Sequence, residues 1–254
     1  MEKRLGYLVQ KNIRTAFMTL WRLMVIAVFF YCLTNQLLSW TDFFIVLGVH
    51  WILYLIGLEV GYHKLLSHRA FNTKTWIRNI LVFVGTTLSH PPVLSWVDIH
   101  RIHHSNSDKP GDPHSPWVPK KGFWNYLLTT KTPTCRNTYE FYNDRTMLWF
   151  ETKHELVLWS VSILLVLMFG LKTTLVWYLL PSFISPYCLG IANYVTHQGK
   201  YNGYDYARNW YWIEVLTPGM GFHGNHHDTP GSWTLAKKYW WADISSIVVK
   251  LIKR

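Results

Sequence analysis

The chemistry of this sequence sits in its histidines. The stretch from Trp96 to His104 reads Trp-Val-Asp-Ile-His-Arg-Ile-His-His, which places His100, His103 and His104 at i, i+3 and i+4. On a helix this spacing brings all three imidazoles to one face. A near-copy, Phe-His-Gly-Asn-His-His, holds His223, His226 and His227. His63 and His68 lie in Gly-Tyr-His-Lys-Leu-Leu-Ser-His-Arg, and Asn193 and His197 stand four apart at the end of an apolar run. Together these elements hold nine of the 13 histidines. A lone histidine on an apolar face is ordinarily a satisfied core residue, but several such boxes in one chain are hard to obtain that way. Imidazole suits zinc, copper, iron and nickel, whereas all-oxygen sites suit magnesium and calcium. A structural zinc site closes with four ligands, so nine histidines are too many for one ion and about right for two. The His63–His68 pair is the odd one. A separation of five is about 140° on a regular α-helix, so either the helix is locally distorted or the two face different metals.

The elements that carry these residues read as membrane helices. Half of the 254 residues are hydrophobic and 17% are aromatic. The apolar residues cluster in runs of bilayer length, with many of the 15 Trp and 15 Tyr near the run ends, as interfacial belts require. Spans are expected at roughly 17–38, 43–60, 156–169 and 175–195. Arg22 falls near the start of the first and is expected to snorkel to the surface. Glu59, near the end of the second and four residues before His63, is either functional or paired with Lys64 or Arg69 at the interface. The apolar run 76–88 is too short to span and is expected to be an interfacial or buried helix ended by Pro91-Pro92. Residues 244–252 have the pattern of an amphipathic helix, docked on protein or lipid. Asp112-Pro-His114 lies in a polar loop, where His114 reads as a surface or supporting residue rather than a tenth ligand. Lys120-Lys121 is a small basic patch for an anionic head group, an electron donor or solvent.

The net charge of +11 would allow nucleic-acid binding, but no RNA- or DNA-binding module is visible. Of the 25 lysines and arginines, 23 fall in residues 1–14, 61–153 and 198–254, on the same side of a four-span topology as every box histidine. The positive-inside rule makes that side cytoplasmic. The expected architecture is therefore an all-α integral membrane protein, a single domain over 1–254. Four transmembrane helices carry a cytoplasmic helical cap, built from 61–153 and 196–254, that holds a histidine-rich di-metal site. Cys32, Cys135 and Cys188 form no CxxC and no disulfide framework. Two metals held by neutral imidazoles at the mouth of a membrane bundle fit oxidation of a lipid chain. Zinc has no redox chemistry, whereas iron with O₂ supplies an oxidant strong enough for an unactivated C–H bond.

His63-Lys-Leu-Leu-Ser-His68, His100-Arg-Ile-His-His104 and His223-Gly-Asn-His-His227 resemble the three histidine boxes of the membrane fatty-acid desaturases. The combination HxxxxH, HxxHH, HxxHH is similar to the stearoyl-CoA (delta-9) branch, as are Gly61-Tyr-His, Ser67-His-Arg, Asp112-Pro-His and Asn193-Tyr-Val-Thr-His197. The resemblance implies that His63, His68, His100, His103, His104, His197, His223, His226 and His227 ligate two Fe ions and form the catalytic centre. It also implies that Asn193 holds a metal-bound water and that Trp96 lines a bent acyl tunnel. The implied reaction uses O₂ and two external electrons to place a cis double bond, at delta-9, in a saturated fatty acyl chain, acyl-CoA or lipid-linked. No fused cytochrome b5 motif is present, so a separate electron donor of cytochrome b5 or ferredoxin type is expected. Where animal members carry an Arg pair that meets CoA, this chain reads Phe150-Glu-Thr-Lys-His154, which weighs against acyl-CoA; where the family usually has a histidine after Gly122-Phe123, it has Asn125. His154 lies outside the boxes, and its replacement is expected to leave activity largely intact. Lipid or alkane hydroxylases have similar sites but usually HxxxH in the first box. A metal transporter or binding protein would need ligands facing a pore, whereas these gather at span ends.

Overall fold

The computed structural model describes residues 2–117, 122–128, 136–198 and 207–254. Lys120-Lys121 and Cys135 lie outside these. Helices make up the described residues, with no β-strand among them. The chain begins with α1 (Glu2–Thr34), whose apolar part is Ile13–Thr34. A short turn follows, and α2 (Trp40–Leu53) starts on a reciprocal cap: Ser39 Oγ accepts from Asp42 N–H, and Asp42 accepts from Ser39 N–H. α2 runs without a break into a π-helical segment, Tyr54–Ser67. The remaining helices are α3 (Thr75–Thr86), α4 (Val93–Ser105), α5 (Phe123–Leu128), α6 (Arg145–Thr152), α7 (His154–Phe169), α8 (Leu171–Thr174), α9 (Leu180–Thr196), α10 (His223–Asp228) and α11 (Ile244–Ile252). A π-helical turn, Leu175–Leu179, joins α8 to α9.

Among the described residues, three continuous helices are long and apolar enough to cross a membrane: Ile13–Thr34, Trp40–Ser67 and Leu171–Thr196. The expected span at 156–169 is different. α7 alone has 16 residues, and it forms a fourth candidate only together with α6, across a 69° bend. Leu164, Leu167, Met168 and Phe169 of α7 are exposed, as are Leu20, Leu23 and Phe30 of α1. Apolar faces of that extent are liabilities in water and natural against lipid. Lys172 meets Asp42 at 3.1 Å, tying α8 to the first turn of α2.

Two features bring α3 and α4 inside the bundle. The first is a glycine contact: a Cβ on Gly57 would lie 2.5 Å from the backbone N of Gly85, and one on Gly85 would lie 2.5 Å from the Tyr62 ring. The π-helix and α3 therefore touch backbone to backbone. The second is a set of hydroxyls. Tyr178 and Ser182 both donate to Thr87 O, and Ser89 donates to Ser182 O, so the link between α3 and α4 is pinned to the middle of the α9 span. The run 76–88 is thus buried at its C-terminal end, at Leu81, Val82 and Leu88, while Trp76, Ile80 and Phe83 remain exposed. Pro91-Pro92 leaves the first amides of α4 without a local cap. Glu151 of α6 supplies it from a distance, accepting from Leu94 N–H, Ser95 N–H and Ser95 Oγ–H. Arg14 of α1 steadies that corner through Glu155 at 3.0 Å. Arg22 does not snorkel outward: it turns in and donates to Ser89 O, because the pinned loop offers it a carbonyl.

The amphipathic C-terminal helix docks on protein. Val249 is fully buried, Arg254 N–H donates to Asn72 O, and Thr73 donates to Ile252 O. Beneath it Lys64 of the π-helix meets Asp243 at 2.8 Å and Ser245 Oγ at 2.5 Å, all three buried. Burial alone would raise the Asp243 carboxyl, but Lys64 and the Ser245 and Ser246 hydroxyls outweigh it and hold it below its ordinary 3.8. A depressed folded value means the group stabilises above about pH 3.8 and loses that contribution as pH falls through the folded value. Asp243→Asn should lower stability by about 3–5 kcal/mol at neutral pH, as expected for a buried pair losing one partner. Thermal unfolding in detergent should show the gap to wild type closing in acid; a gap that is independent of pH would contradict this account.

Candidate metal centre

The π-helix resolves the odd spacing of the first box. Its amides bond five residues back, as in His68 N–H to His63 O at 3.1 Å. The wider π-helix turns less per residue than an α-helix, so residues five apart diverge far less than the roughly 140° of a regular α-helix. His63 and His68 therefore face the same way, with ring centroids 4.9 Å apart. Of the two readings left open by the sequence, the distorted helix is the one observed.

The nine box histidines converge as two groups. His63, His68, His100, His104 and His226 form one, and His103, His197, His223 and His227 the other, the offered ligand atoms in each group lying within 4.8 Å of one another. The three imidazoles of each HxxHH box do not share one target. At about 100° per residue, i and i+4 stay within roughly 40° of each other while i+3 swings to the other side. His100 and His104 accordingly enter the first group and His103 the second. The third box does the reverse: His223 and His227 enter the second group and His226 the first. The first box then completes one group and His197 the other.

Within the groups the Nε2 atoms point inward, with Nε2 to Nε2 distances from 2.7 Å (His68–His100) to 3.3 Å (His103–His227). Ligands about 2.0–2.1 Å from a central ion stand roughly this far from each other. The donor set is imidazole throughout, which fits a transition metal. Three carboxylates orient rings from behind. His63 Nδ1 donates to Glu59 (2.7 Å), His103 Nδ1 to Asp112 (2.9 Å) and His197 Nδ1 to Asp108 (2.8 Å). A carboxylate that accepts at Nδ1 keeps the proton there and leaves the Nε2 lone pair free for a metal. Burial pushes His100, His223 and His226 well below the ordinary imidazole value, and neighbouring histidines add to it; His68 falls to about 2 for the same reasons. For these four rings burial therefore favours the neutral form, as ligation requires. Asp112 shows the opposite balance: burial works to raise it, but His103 and the amides of His114 and Asp108 hold it down at about 2.

Other residues brace these. Arg101, inside the second box, donates to the carbonyls of Leu66, Ser67 and Asn137 and meets Glu140 at 2.7 Å. It thereby ties the end of the π-helix to α4. Glu214 accepts from the amides of Gly219 and Gly221 just before the third box, and burial raises its carboxyl to about 7. Glu59, the residue the sequence left undecided, does both: it holds His63 and lies 3.9 Å from Lys64, while Arg69 pairs with Glu140 instead. Asp108 and Asp112 carry no periodic signal that marks them as histidine partners; they stand four and eight residues after the second box, Asp112 within the Asp-Pro-His stretch noted above.

A cavity of about 310 Å³ adjoins the histidines, lined in part by Trp96, Ile99, His114, Tyr126, Leu189 and Asn193. A smaller space shares Trp96, His114, Leu189 and Asn193 with it and reaches His63, His100 and His223. Trp96 stacks on His100 at 5.0 Å and 14°. His114 belongs to neither metal group. His154 is fully buried, so it is a core residue and a poor neutral control for activity. Asp112→Asn should weaken metal binding by about 10–100-fold, the usual effect of losing a carboxylate behind a ligating imidazole. Elemental analysis after dialysis against a graded chelator checks this; retention equal to wild type would remove Asp112 from the role.

Residues 44–242 match the sequence profile described as Fatty acid desaturase. The chain is 31% identical over 225 residues to an sn-1 stearoyl-lipid 9-desaturase of Anabaena variabilis, covering 85% of this chain and 82% of that protein. It is 29% identical to an sn-1 stearoyl-lipid 9-desaturase of a Synechocystis species (85% and 70% covered) and 26% identical to an sn-2 palmitoyl-lipid 9-desaturase of a Nostoc species (85% and 79% covered). The histidine pattern, the helical bundle and these matches agree: the chain belongs to the fatty acid desaturase family, on its delta-9-like branch, and is an oxidoreductase.

Proposed function

We propose that this chain is a di-iron, O₂-dependent acyl-lipid desaturase that places a cis double bond at the delta-9 position of a saturated chain esterified in a membrane lipid. The observation that carries this reading is the meeting of two imidazole groups with a largely apolar cavity at Trp96 and Asn193. The nine box histidines hold the irons, and Asn193 holds a water on the metal side. Bound iron supplies the oxidising power that O₂ lacks on its own. The overall balance is one O₂, two electrons and two protons consumed, two hydrogens taken from adjacent methylenes, and two waters released. Trp96 lines the tunnel where the chain bends, and the cavity walls keep two methylenes beside the metals; positioning of this kind decides which C–H bonds break. The lipid-linked carrier is favoured because the relatives reported above are named for acyl lipids and the CoA-meeting Arg pair is replaced at Phe150–His154.

In this reading the domain is single and the bent pair α6–α7 is one of four spans. Both termini and the histidine cap are cytoplasmic, and a separate cytochrome b5 or ferredoxin-type protein delivers the electrons. The distribution of 23 of 25 basic residues supports the sidedness. In a cysteine-free background, externally added thiol reagent should label Cys placed at Ser39 or Thr173 but not in the C-terminal tail; labelling of the tail would reject the topology.

Expression in a desaturase-deficient strain, with gas chromatography of each lipid class, tests the reaction. New monoenes are expected in glycerolipids, and His103→Ala or His226→Ala should abolish them. Purified protein grown with iron should hold close to two Fe per chain by elemental analysis. Hydroxy acids without monoenes would move the assignment to a hydroxylase.

A further inference from the structure

The short helix α5 is seated by a match of two helical faces. Phe123, Tyr126 and Leu127 stand at i, i+3 and i+4 on α5, and Gly190, Asn193 and Tyr194 stand at the same spacing on α9. The two faces meet. Phe123 and Tyr126 pack against Tyr194, with ring centroids 5.1 and 5.5 Å apart. A Cβ on Gly190 would lie 2.7 Å from Leu127 Cδ1, so the missing side chain lets α5 come close. Between these contacts the Tyr126 phenol hydrogen-bonds the Asn193 side chain. Both residues are buried, and both line the 310 Å³ cavity. The same face of α9 continues one turn on to His197, which enters the second metal group. Asn193 also lines the smaller space that reaches His63, His100 and His223.

A buried asparagine offers an acceptor and a donor from one planar amide, and half a turn about its last torsion exchanges them. The partner at one end of the amide therefore decides which end is presented on the other side. Toward a cation and a water held on it, the favourable end is the carbonyl Oδ1, which accepts from that water; the NH2 group would oppose the positive charge. The remaining Nδ2 donor then needs an acceptor away from the metals. A phenol oxygen accepts as well as donates. Burial holds the Tyr126 hydroxyl above its ordinary value of 10.0, so it stays neutral and brings no charge of its own to the site. A phenylalanine ring would fill the same space and hold neither end of the amide.

We propose that Tyr126 is a positioning residue for the metal centre: its phenol oxygen accepts from Asn193 Nδ2 and so keeps Oδ1 turned toward the water on the metal side. This rests on the desaturase reading above and on the place it gives Asn193. Helix α5 thereby does more than cover the cavity, because it sets the orientation of a group on α9 that no residue of the histidine boxes holds.

The test reads the metal site without turnover. Azide, a small anion that displaces a metal-bound water, is titrated into the detergent-purified, iron-loaded protein and followed by absorption. Tyr126→Phe keeps the ring and frees the amide, and it should bind azide about three- to ten-fold more tightly than wild type, the worth of one neutral hydrogen bond. Asn193→Ala should shift affinity in the same direction. Adding Tyr126→Phe to Asn193→Ala should change nothing further, because the phenol then has no amide to hold. Phe123→Leu loosens the same α5–α9 contact without removing a polar group and should leave azide affinity at the wild-type value. Iron content and unfolding temperature report folding for each variant. Wild-type azide affinity in folded, iron-loaded Tyr126→Phe overturns the proposal. So does a Tyr126→Phe effect that persists on Asn193→Ala, or an equal effect from Phe123→Leu. The reaction is read separately, as lipid monoenes. The expected azide pattern in a protein that forms none supports the role of Tyr126 and counts against the desaturase reading alone.

Discussion

Nine imidazoles point their Nε2 atoms at two small, largely buried volumes, and much of the structure follows from making that arrangement tolerable. Inward lone pairs repel each other, and buried nitrogens at 2.7–3.3 Å gain nothing from facing one another without a cation between them. The fold therefore holds each group from several elements at once. The first group draws on the π-helix, α4 and α10; the second draws on α4, the end of α9 and α10. No single helix can relax the centre by shifting, because α4 and α10 each serve both groups. Metal binding and folding are linked in such a site, since ligands assembled at a fold's cost bind an ion that the unfolded chain cannot hold as well.

The exchange between the two HxxHH boxes shows how helical geometry makes this possible. Each box offers one i, i+4 pair and one i+3 residue, and about 100° of rotation per residue separates the pair from the single. Running two such boxes against each other lets each give a pair to one metal and a single to the other. The first box cannot join by the same rule, because five residues on an α-helix diverge. The π-helix over Tyr54–Ser67 changes the rule instead of the sequence. It is held in that form by burial of nearly every residue, by the backbone contact at Gly57 and Gly85, and by Arg101 closing its last carbonyls.

The histidine boxes, the three long apolar helices and the amphipathic C-terminal helix were legible in the sequence because each has a period or a spacing that local geometry imposes. What was not legible comes from long-range contacts. Asp108 and Asp112 look like ordinary loop acids until the fold sets them behind His197 and His103. Glu151 looks like a surface residue of a short helix, yet it caps α4 more than fifty residues earlier in the chain. The bend between α6 and α7 was invisible to hydropathy, which sees only that 156–169 is short. Arg22 was misjudged for a related reason: snorkelling is the rule for an arginine near a helix end facing lipid, and only the pinned Ser89 loop gives it a reason to turn inward.

The charge balance of the centre also differs from what imidazole ligands alone would give. Two divalent ions held only by neutral rings would leave their whole charge uncompensated in a buried site. Asp108, Asp112 and Glu59 each sit behind one imidazole, where they would place negative charge close to bound metals. Glu59 also lies 3.9 Å from Lys64, which is itself paired with Asp243 at 2.8 Å. Two of the carboxylates, Asp108 and Asp112, lie behind rings of the second group, while Glu59 alone serves the first. The two groups are thus inequivalent in both ligand number and charge: five imidazoles with one shared carboxylate against four with two. Asn193 lies on the wall of both spaces, and the smaller one touches His63 and His100 of the first group and His223 of the second. The same imidazole donors thus stand in two different surroundings, and the space beside Trp96 meets rings of both groups, so the difference between them lies in the carboxylates behind the rings rather than in access to the cavity.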